Sequence, residues 1–276
     1  MSWYRGKKVY ITGGSSGIGK ATAAEAVRRG AHVWISARGK ARLDEAVAEL
    51  KALAGPGQVV GSTALDVSDQ AAVDAAVPEI LAGLGGLDVL LCNAGVANCD
   101  RLENTPPSEY KRMMDINYFG AVWSTLAFLP HFRAQRSGSV SAVSSTLGQM
   151  GLFGYSAYCA SKYAITGFYD CIRQDLLPYG IRVSVLFPAD VDTPQLAEEN
   201  ATKPAETKAL SGNASLARPE TVAAAYLDGV EKGRYHIEPG LANAGILWAN
   251  RHLAPVTRWF IDSDLQKFWK KNPPPA

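Results

Sequence analysis

The chain has 276 residues, 47% of them hydrophobic, which is enough to bury one sizeable core and argues for a single α/β domain. Its 28 Lys and Arg against 26 Asp and Glu leave a formal charge of +2, with no basic stripe interleaved with aromatics, which excludes a nucleic-acid partner. His32, His131, His236 and His252 are scattered and Cys92, Cys99, Cys159 and Cys171 form no CxxC pair, so no metal site and four reduced thiols are expected.

The first residues lead straight into a strand without the charged-then-apolar run of a signal peptide, so a cytoplasmic location is expected. Val9–Thr12 reads as the first strand. It ends in Thr12-Gly13-Gly14-Ser15-Ser16-Gly17-Ile18-Gly19, which runs at once into the helix-forming Lys20-Ala21-Thr22-Ala23. A turn so placed suits a pyrophosphate, because glycine lets the backbone approach the phosphate oxygens and a helix start offers unpaired N–H groups and a positive dipole end. The second strand, His32–Ala37, should end beside an adenosine ribose, where NAD would meet an acidic residue on its 2′-hydroxyl. Arg38 stands there instead, with Lys40 or Arg42 to help it and no acid at the strand end, so a 2′-phosphate and hence NADPH/NADP+ is the expected cofactor. Val59–Asp66 forms the third strand, and Asp66 at its end is placed to accept from the adenine amino group. Asp88–Asn93 forms the fourth, after which Asn93-Ala94-Gly95 brings small residues under the sugar.

Asn117, in Asp115-Ile116-Asn117-Tyr118-Phe119-Gly120, falls on the next helix, where its amide is placed to hold a water joining a lysine to solvent. Ser139–Ser144 is the fifth strand; Ser144-Ser145 at its end offers a hydroxyl to a carbonyl oxygen, and Ser145 is the one assigned. Tyr158-Cys159-Ala160-Ser161-Lys162 then sets a phenol and an ammonium on one face of a helix. A ketone gaining hydride needs a proton on its oxygen. A phenol that ionises near 10 can give and take one at neutral pH only if its phenolate is stabilised by roughly 4 kcal/mol, which an ammonium and a positive nicotinamide ring would supply.

Arg182–Phe187 is the sixth strand, and Phe187-Pro188-Ala189-Asp190-Val191-Asp192-Thr193-Pro194 can wrap a nicotinamide carboxamide. The polar stretch 190–219 lies where an open α/β sheet presents its ligand crevice and reads as a substrate lid. Tyr235–Ile237 is the seventh strand. Apolar runs separated by helix-length connections predict an α/β fold with a doubly wound parallel sheet, strand order 3-2-1-4-5-6-7, within residues 1–240. Residues 241–276 form an amphipathic tail, with Trp248, Trp259, Phe260 and Trp269 among Arg and Lys, interrupted too often to span a bilayer as a helix of about 20 apolar residues. Two placements stay open for it: on a membrane face as a peripheral contact, or packed on the domain or another subunit.

Taken in order, TGxxxGxG, NAG, the Asn of D-I-N-x-x-G, a Ser ahead of YxxxK and P-x-x-x-x-T resemble the short-chain dehydrogenases/reductases, from about Lys7 to Thr193. The resemblance implies a Rossmann-type fold, hydride transfer from C4 of a nicotinamide, and a catalytic set of Ser145, Tyr158, Lys162 and Asn117. It implies cofactor contacts from Gly13, Ser15, Ser16, Gly17, Ile18 and Gly19; from Arg38, Arg42, Asp66 and Val67; from Asn93, Ala94 and Gly95; and from Tyr158, Lys162, Pro188, Val191 and Thr193. Arg42 stands where the pattern has a lysine, and family members commonly form homo-oligomers, dimers or tetramers. The lid segments Asp192-Thr193-Pro194, Ala197-Glu198-Glu199-Asn200, Thr202-Lys203-Pro204 and Glu206-Thr207 are similar to those of members that act on a long-chain sphingoid base. That similarity implies NADPH-dependent reduction of 3-ketodihydrosphingosine to dihydrosphingosine in sphingolipid biosynthesis, a lipid ketone as substrate. Two other readings stay open: reduction of another carbonyl (a 3-oxoacyl thioester, a steroid or a small ketone), and a nucleotide-sensing scaffold that does no chemistry. The Asn-x-Ser/Thr sequons at Asn200 and Asn213 read as accidental in a cytosolic chain.

Overall fold

In the computed structural model, which describes residues 2–212 and 216–273, the strands are β1 (Lys8–Thr12), β2 (His32–Ala37), β3 (Val60–Ala64), β4 (Val89–Cys92), β5 (Gly138–Val143), β6 (Ile181–Leu186) and β7 (His236–Ile237). The helices are α1 (Gly17–Arg28), α2 (Lys40–Leu53), α3 (Gln70–Leu84), α4 (Pro107–Met113), α5 (Gly120–Gln135), α6 (Ser156–Leu176), α7 (Pro194–Thr202), α8 (Ala205–Ser211), α9 (Pro219–Glu231), α10 (Leu241–His252) and α11 (Ala254–Lys271). All strand pairings are parallel and the sheet runs β3-β2-β1-β4-β5-β6-β7, the order expected from the sequence.

Alternation along each strand explains why helices cover both faces. Val9 and Ile11 of β1 pack with Val27 of α1, Leu43 and Leu50 of α2 and Tyr226 of α9. Tyr10, between them, points to the other face, where it joins Val73 and Ile80 of α3, Phe128 of α5 and Ile165 and Tyr169 of α6. Every residue of β4 is buried, as the central position of a strand between β1 and β5 requires. Because β1 pairs with β2 on one side and β4 on the other, the chain reverses its direction of travel across the sheet at β1, and the crevice of a doubly wound sheet opens beyond the carboxyl ends of those strands. The strands are slightly shorter than expected at that edge. β3 stops at Ala64, β4 at Cys92 and β5 at Val143, so Asp66, Asn93 and Ser144 all lie in the loops that border the crevice.

The stretch after β6 folds into α7 and α8. Pro194 at the first helical position has no N–H to leave unpaired, and the Thr193 hydroxyl caps the helix by accepting from the Leu196 N–H at 3.3 Å. Asn200 is exposed on α7, and the Asn213 sequon lies outside the described residues. Residues after 240 are tied to the domain: Leu247 of α10 is fully buried in the core beside α6, and the Asn243 amide donates to the Phe187 carbonyl at 2.8 Å. Trp269 of α11 packs edge-on against Phe153 and donates through Nε1 to Glu206 of α8 at 3.3 Å. The opposite side of the tail shows Trp248, Leu253, Val256, Trp259 and Phe260 to the outside. Among the described residues, no helix is long and apolar enough to cross a membrane.

Candidate active site

The glycine-rich turn closes tightly at the end of β1. Gly13 has φ +69°, and a Cβ there would lie 2.7 Å from the Ala94 Cα, so only glycine lets the β1 and β4 loops meet. Gly13, Ser15, Ser16, Gly17 and Ile18 all line a cleft of about 540 Å³. Gly19 does not. It lies in the first turn of α1, where a Cβ would sit 2.2 Å from the Gly13 carbonyl oxygen, so its lack of a side chain serves close packing of the helix under the turn. The hydroxyl of the N-cap residue Ser16 makes no capping bond, which leaves the first-turn N–H groups of α1 to be satisfied from the cleft. This is a cradle that fits a pyrophosphate.

Thr12, which the sequence reading passed over, ties this turn to its neighbour. Its hydroxyl accepts from the backbone N–H groups of Asn93 and Ala94, both at 3.0 Å, and the Asn93 amide donates to the carbonyls of Thr12 and Gly13 at 3.0 and 3.1 Å. Asn93 therefore spends its side-chain amide fixing the turn, and Asn93, Ala94 and Gly95 all line the cleft. The spacing of an Asn after the fourth strand could have suggested this clamp, since it sits level with the end of β1.

Arg38 and Arg42 both line the cleft, and among the described residues neither has an acidic partner. Lys40 does not line the cleft and pairs with Asp44 at 2.8 Å, so of the two helpers considered for Arg38 only Arg42 borders it. Asp66 lines the same end, with one carboxylate oxygen accepting from the Ser68 N–H at 3.0 Å and the Ser68 hydroxyl at 2.7 Å. Val67 also lines the cleft and packs on Gly120, where a Cβ would come within 2.6 Å of it. The glycine of D-I-N-x-x-G has its reason there.

At the other end, Ser145, Tyr158 and Lys162 line the cleft together. The two adjacent serines part company: Ser144 donates to the Lys162 carbonyl at 3.0 Å, into α6, whereas Ser145 faces the cleft and accepts from the Leu147 N–H at 3.1 Å. Lys162 lies one helical turn beyond Tyr158, its Nζ 5.6 Å from the phenol ring centroid and donating to the Val143 carbonyl at 2.9 Å. Burial pulls this ammonium down to about 7. Burial pushes the phenol up, the negative charge of Glu199 pushes it further, and the Ser145 hydroxyl pulls it back only in part. Taking a phenolate out of water costs more than the Ser145 hydroxyl alone returns, so ionisation of Tyr158 depends on positive charge brought beside it.

Asn117 is fully buried in a π-helical turn between α4 and α5 and does not line the cleft. Its Oδ1 accepts from the Val96 N–H at 2.8 Å, and its Nδ2 donates to the Val96 carbonyl at 3.0 Å and to the Ser161 hydroxyl at 2.9 Å. With Nδ2 engaged and one lone pair of Oδ1 taken, the side chain ties α6 to the loop after β4, and Oδ1 and the Lys162 ammonium both border Gly95. Inserted π turns commonly mark functional sites, and this one brings the amide level with Ser161, next to Lys162.

Pro188, Val191 and Thr193 line the cleft opposite the phosphate turn, and the Thr193 methyl lies 3.2 Å from where a Cβ on Gly17 would be. The lid thus begins in contact with the cradle. Two residues beyond the sequence-derived set join the wall near Tyr158: Tyr155 and, from α7, Glu199, which accepts a hydrogen bond from the Tyr155 hydroxyl. Only the fold brings them together.

Comparison with known proteins places this geometry. The description of the short chain dehydrogenase family matches residues 7–204. The chain is similar to the 3-dehydrosphinganine reductase of Danio rerio, 38% identical over 232 residues, 83% of this chain and 70% of that one. It is similar to the 3-ketodihydrosphingosine reductase of Bos taurus, 37% identical over 254 residues, 91% of this chain and 76% of that one. In fold it is like the crystal structure of a short chain dehydrogenase/reductase from Burkholderia phymatum in complex with NAD, with a TM-score of 0.79, 23% identity, and coverage of 93% of this chain and 96% of the other.

Proposed function

As the chain belongs to the short chain dehydrogenase family, whose members are oxidoreductases that use a nicotinamide cofactor, we propose that it reduces the 3-keto group of 3-ketodihydrosphingosine with NADPH. The observation that carries the chemistry is the convergence of Ser145, Tyr158 and Lys162 on one cleft wall, at the far end from the phosphate cradle. The lid pattern, together with the identity to relatives named for this substrate, supports the choice of ketone.

Bound in the cleft, a reduced nicotinamide supplies hydride to the carbonyl carbon. Ser145 holds the carbonyl oxygen, and Tyr158 delivers a proton to it from within hydrogen-bond reach. Lys162, when protonated, favours the phenolate left behind, and Asn117 keeps α6 in register through Ser161. Gly13, Ser15, Ser16, Gly17 and Ile18 hold the pyrophosphate. Arg38 and Arg42, free of acidic partners among the described residues, hold a 2′-phosphate.

Oxidation of NADPH, followed at the nicotinamide absorbance with a panel of ketones, tests this reading. Turnover of 3-ketodihydrosphingosine well above that of short 3-oxoacyl thioesters is expected; the reverse order rejects the substrate. A lipid ketone must also be collected from a surface. Trp259 and Phe260, 62% and 55% exposed, with Trp248 and the basic ends of α10 and α11, suit the headgroup boundary of an anionic bilayer. The chain is accordingly expected to float with phosphatidylserine-containing vesicles, and Trp259→Ser with Phe260→Ser to remain in the soluble fraction.

A further inference from the structure

The lid places a carboxylate where the reaction alone would not want one. Glu199 lines the cleft wall with Tyr158 and Ser145, although its side chain is only 8% exposed. One of its oxygens accepts from the Tyr155 hydroxyl and lies 3.9 Å from the Lys203 ammonium, beyond hydrogen-bonding distance. Among the described residues no donor reaches the other oxygen. Asp190 borders the same cleft.

Both carboxylates oppose ionisation of the phenol that must give up its proton, Glu199 more strongly. Burial also raises Glu199 itself, which the Tyr155 hydrogen bond and, less, Lys203 only partly offset. A negative charge kept there, at a cost to both groups, is explained if the reacting ketone brings a positive charge of its own. In a long-chain base the carbon next to the 3-keto group carries the amine, which sets an ammonium two bonds from the carbonyl carbon. We propose that Glu199 is the specificity residue of the lid and binds the ammonium of a substrate whose amine-bearing carbon adjoins the carbonyl being reduced. The ammonium supplies the donor that the free oxygen lacks and relieves the repulsion acting on Tyr158. The assignment rests on the amino-ketone reading above and deepens it.

A simpler role for Glu199 is a latch that closes the lid through Tyr155, and the two roles separate experimentally. Glu199→Gln keeps an acceptor for Tyr155 and removes the charge; Tyr155→Phe keeps the charge and removes the latch. Wild type and both variants are assayed with NADPH on 3-ketodihydrosphingosine and on its N-acetyl derivative, which has the same chain and carbonyl but no cation, with thermal melting as the check on folding. The proposal expects Glu199→Gln to lower the wild-type preference for the free amine about tenfold, chiefly through KM, as loss of one charge-assisted contact does. Tyr155→Phe should retain that preference. Equal losses on both ketones in Glu199→Gln, or the same loss of preference in Tyr155→Phe, overturn the proposal while leaving the reductase reading in place. A wild-type chain that reduces neither ketone overturns both.

Discussion

Tyr158→Phe is expected to lower kcat by about 10²-fold to 10⁴-fold, the range that positioned acid–base groups contribute, and to leave the dissociation constant of NADPH within a factor of about two. The asymmetry follows from position. The phenol oxygen faces the substrate end of the cleft with Ser145, while the phosphate cradle is formed by Gly13 to Ile18 at the other end. The ring remains in Phe, so its packing against Tyr155, with centroids 5.9 Å apart, survives. Single-turnover kinetics beside a fluorescence titration of NADPH measure the two quantities separately. Near-wild-type turnover would remove the tyrosine as proton donor whatever the rest of the site does.

Arg38→Ala is expected to weaken NADPH about 100-fold and to change NADH little, with Arg42→Ala following in the same direction but less. Hydrogen bonds to charged groups are worth about 1.5 to 3 kcal/mol, which corresponds to roughly 10- to 150-fold in affinity. Neither guanidinium is held by an acid among the described residues, so replacing it strands no buried charge and the effect should be confined to binding. Titration of each variant with the two dinucleotides decides the matter: parallel losses for NADPH and NADH would refute recognition of a 2′-phosphate.

The sheet is legible in the sequence because its strands are buried on both faces. A run such as Val89-Leu90-Leu91-Cys92 has no alternative but a central strand, and the switch from strand to helix at Gly13–Gly19 marks the crevice edge directly. Residue type and spacing also identify the tyrosine and lysine, since a helical turn separates them wherever the helix lies. What depends on direction is less legible. Ser144 and Ser145 are chemically identical, and only the backbone decides that one points into α6 and the other into the cleft. Gly19 and Asn117 also do packing work that their motifs do not announce, one under a turn and one behind a helix. The acidity of Tyr158 is hidden for another reason. Spacing reports the nearby ammonium but not the burial of both groups, nor a carboxylate arriving from α7 forty-one residues later, Tyr158 to Glu199.

The amide of Asn243 seals the main-chain oxygen of Phe187, the residue just before the prolyl bend that forms one wall of the crevice, and Leu247 plugs the hydrophobic layer beneath it. Severing the polypeptide between α9 and α10 would not trim an accessory. Losing that segment would leave a leucine-sized hole in the core of the kind that costs about 2 to 5 kcal/mol, and a bare carbonyl beside it. Heat resistance and turnover would then decline together, because the segment that shows aromatic rings to the outside also packs the core under that bend.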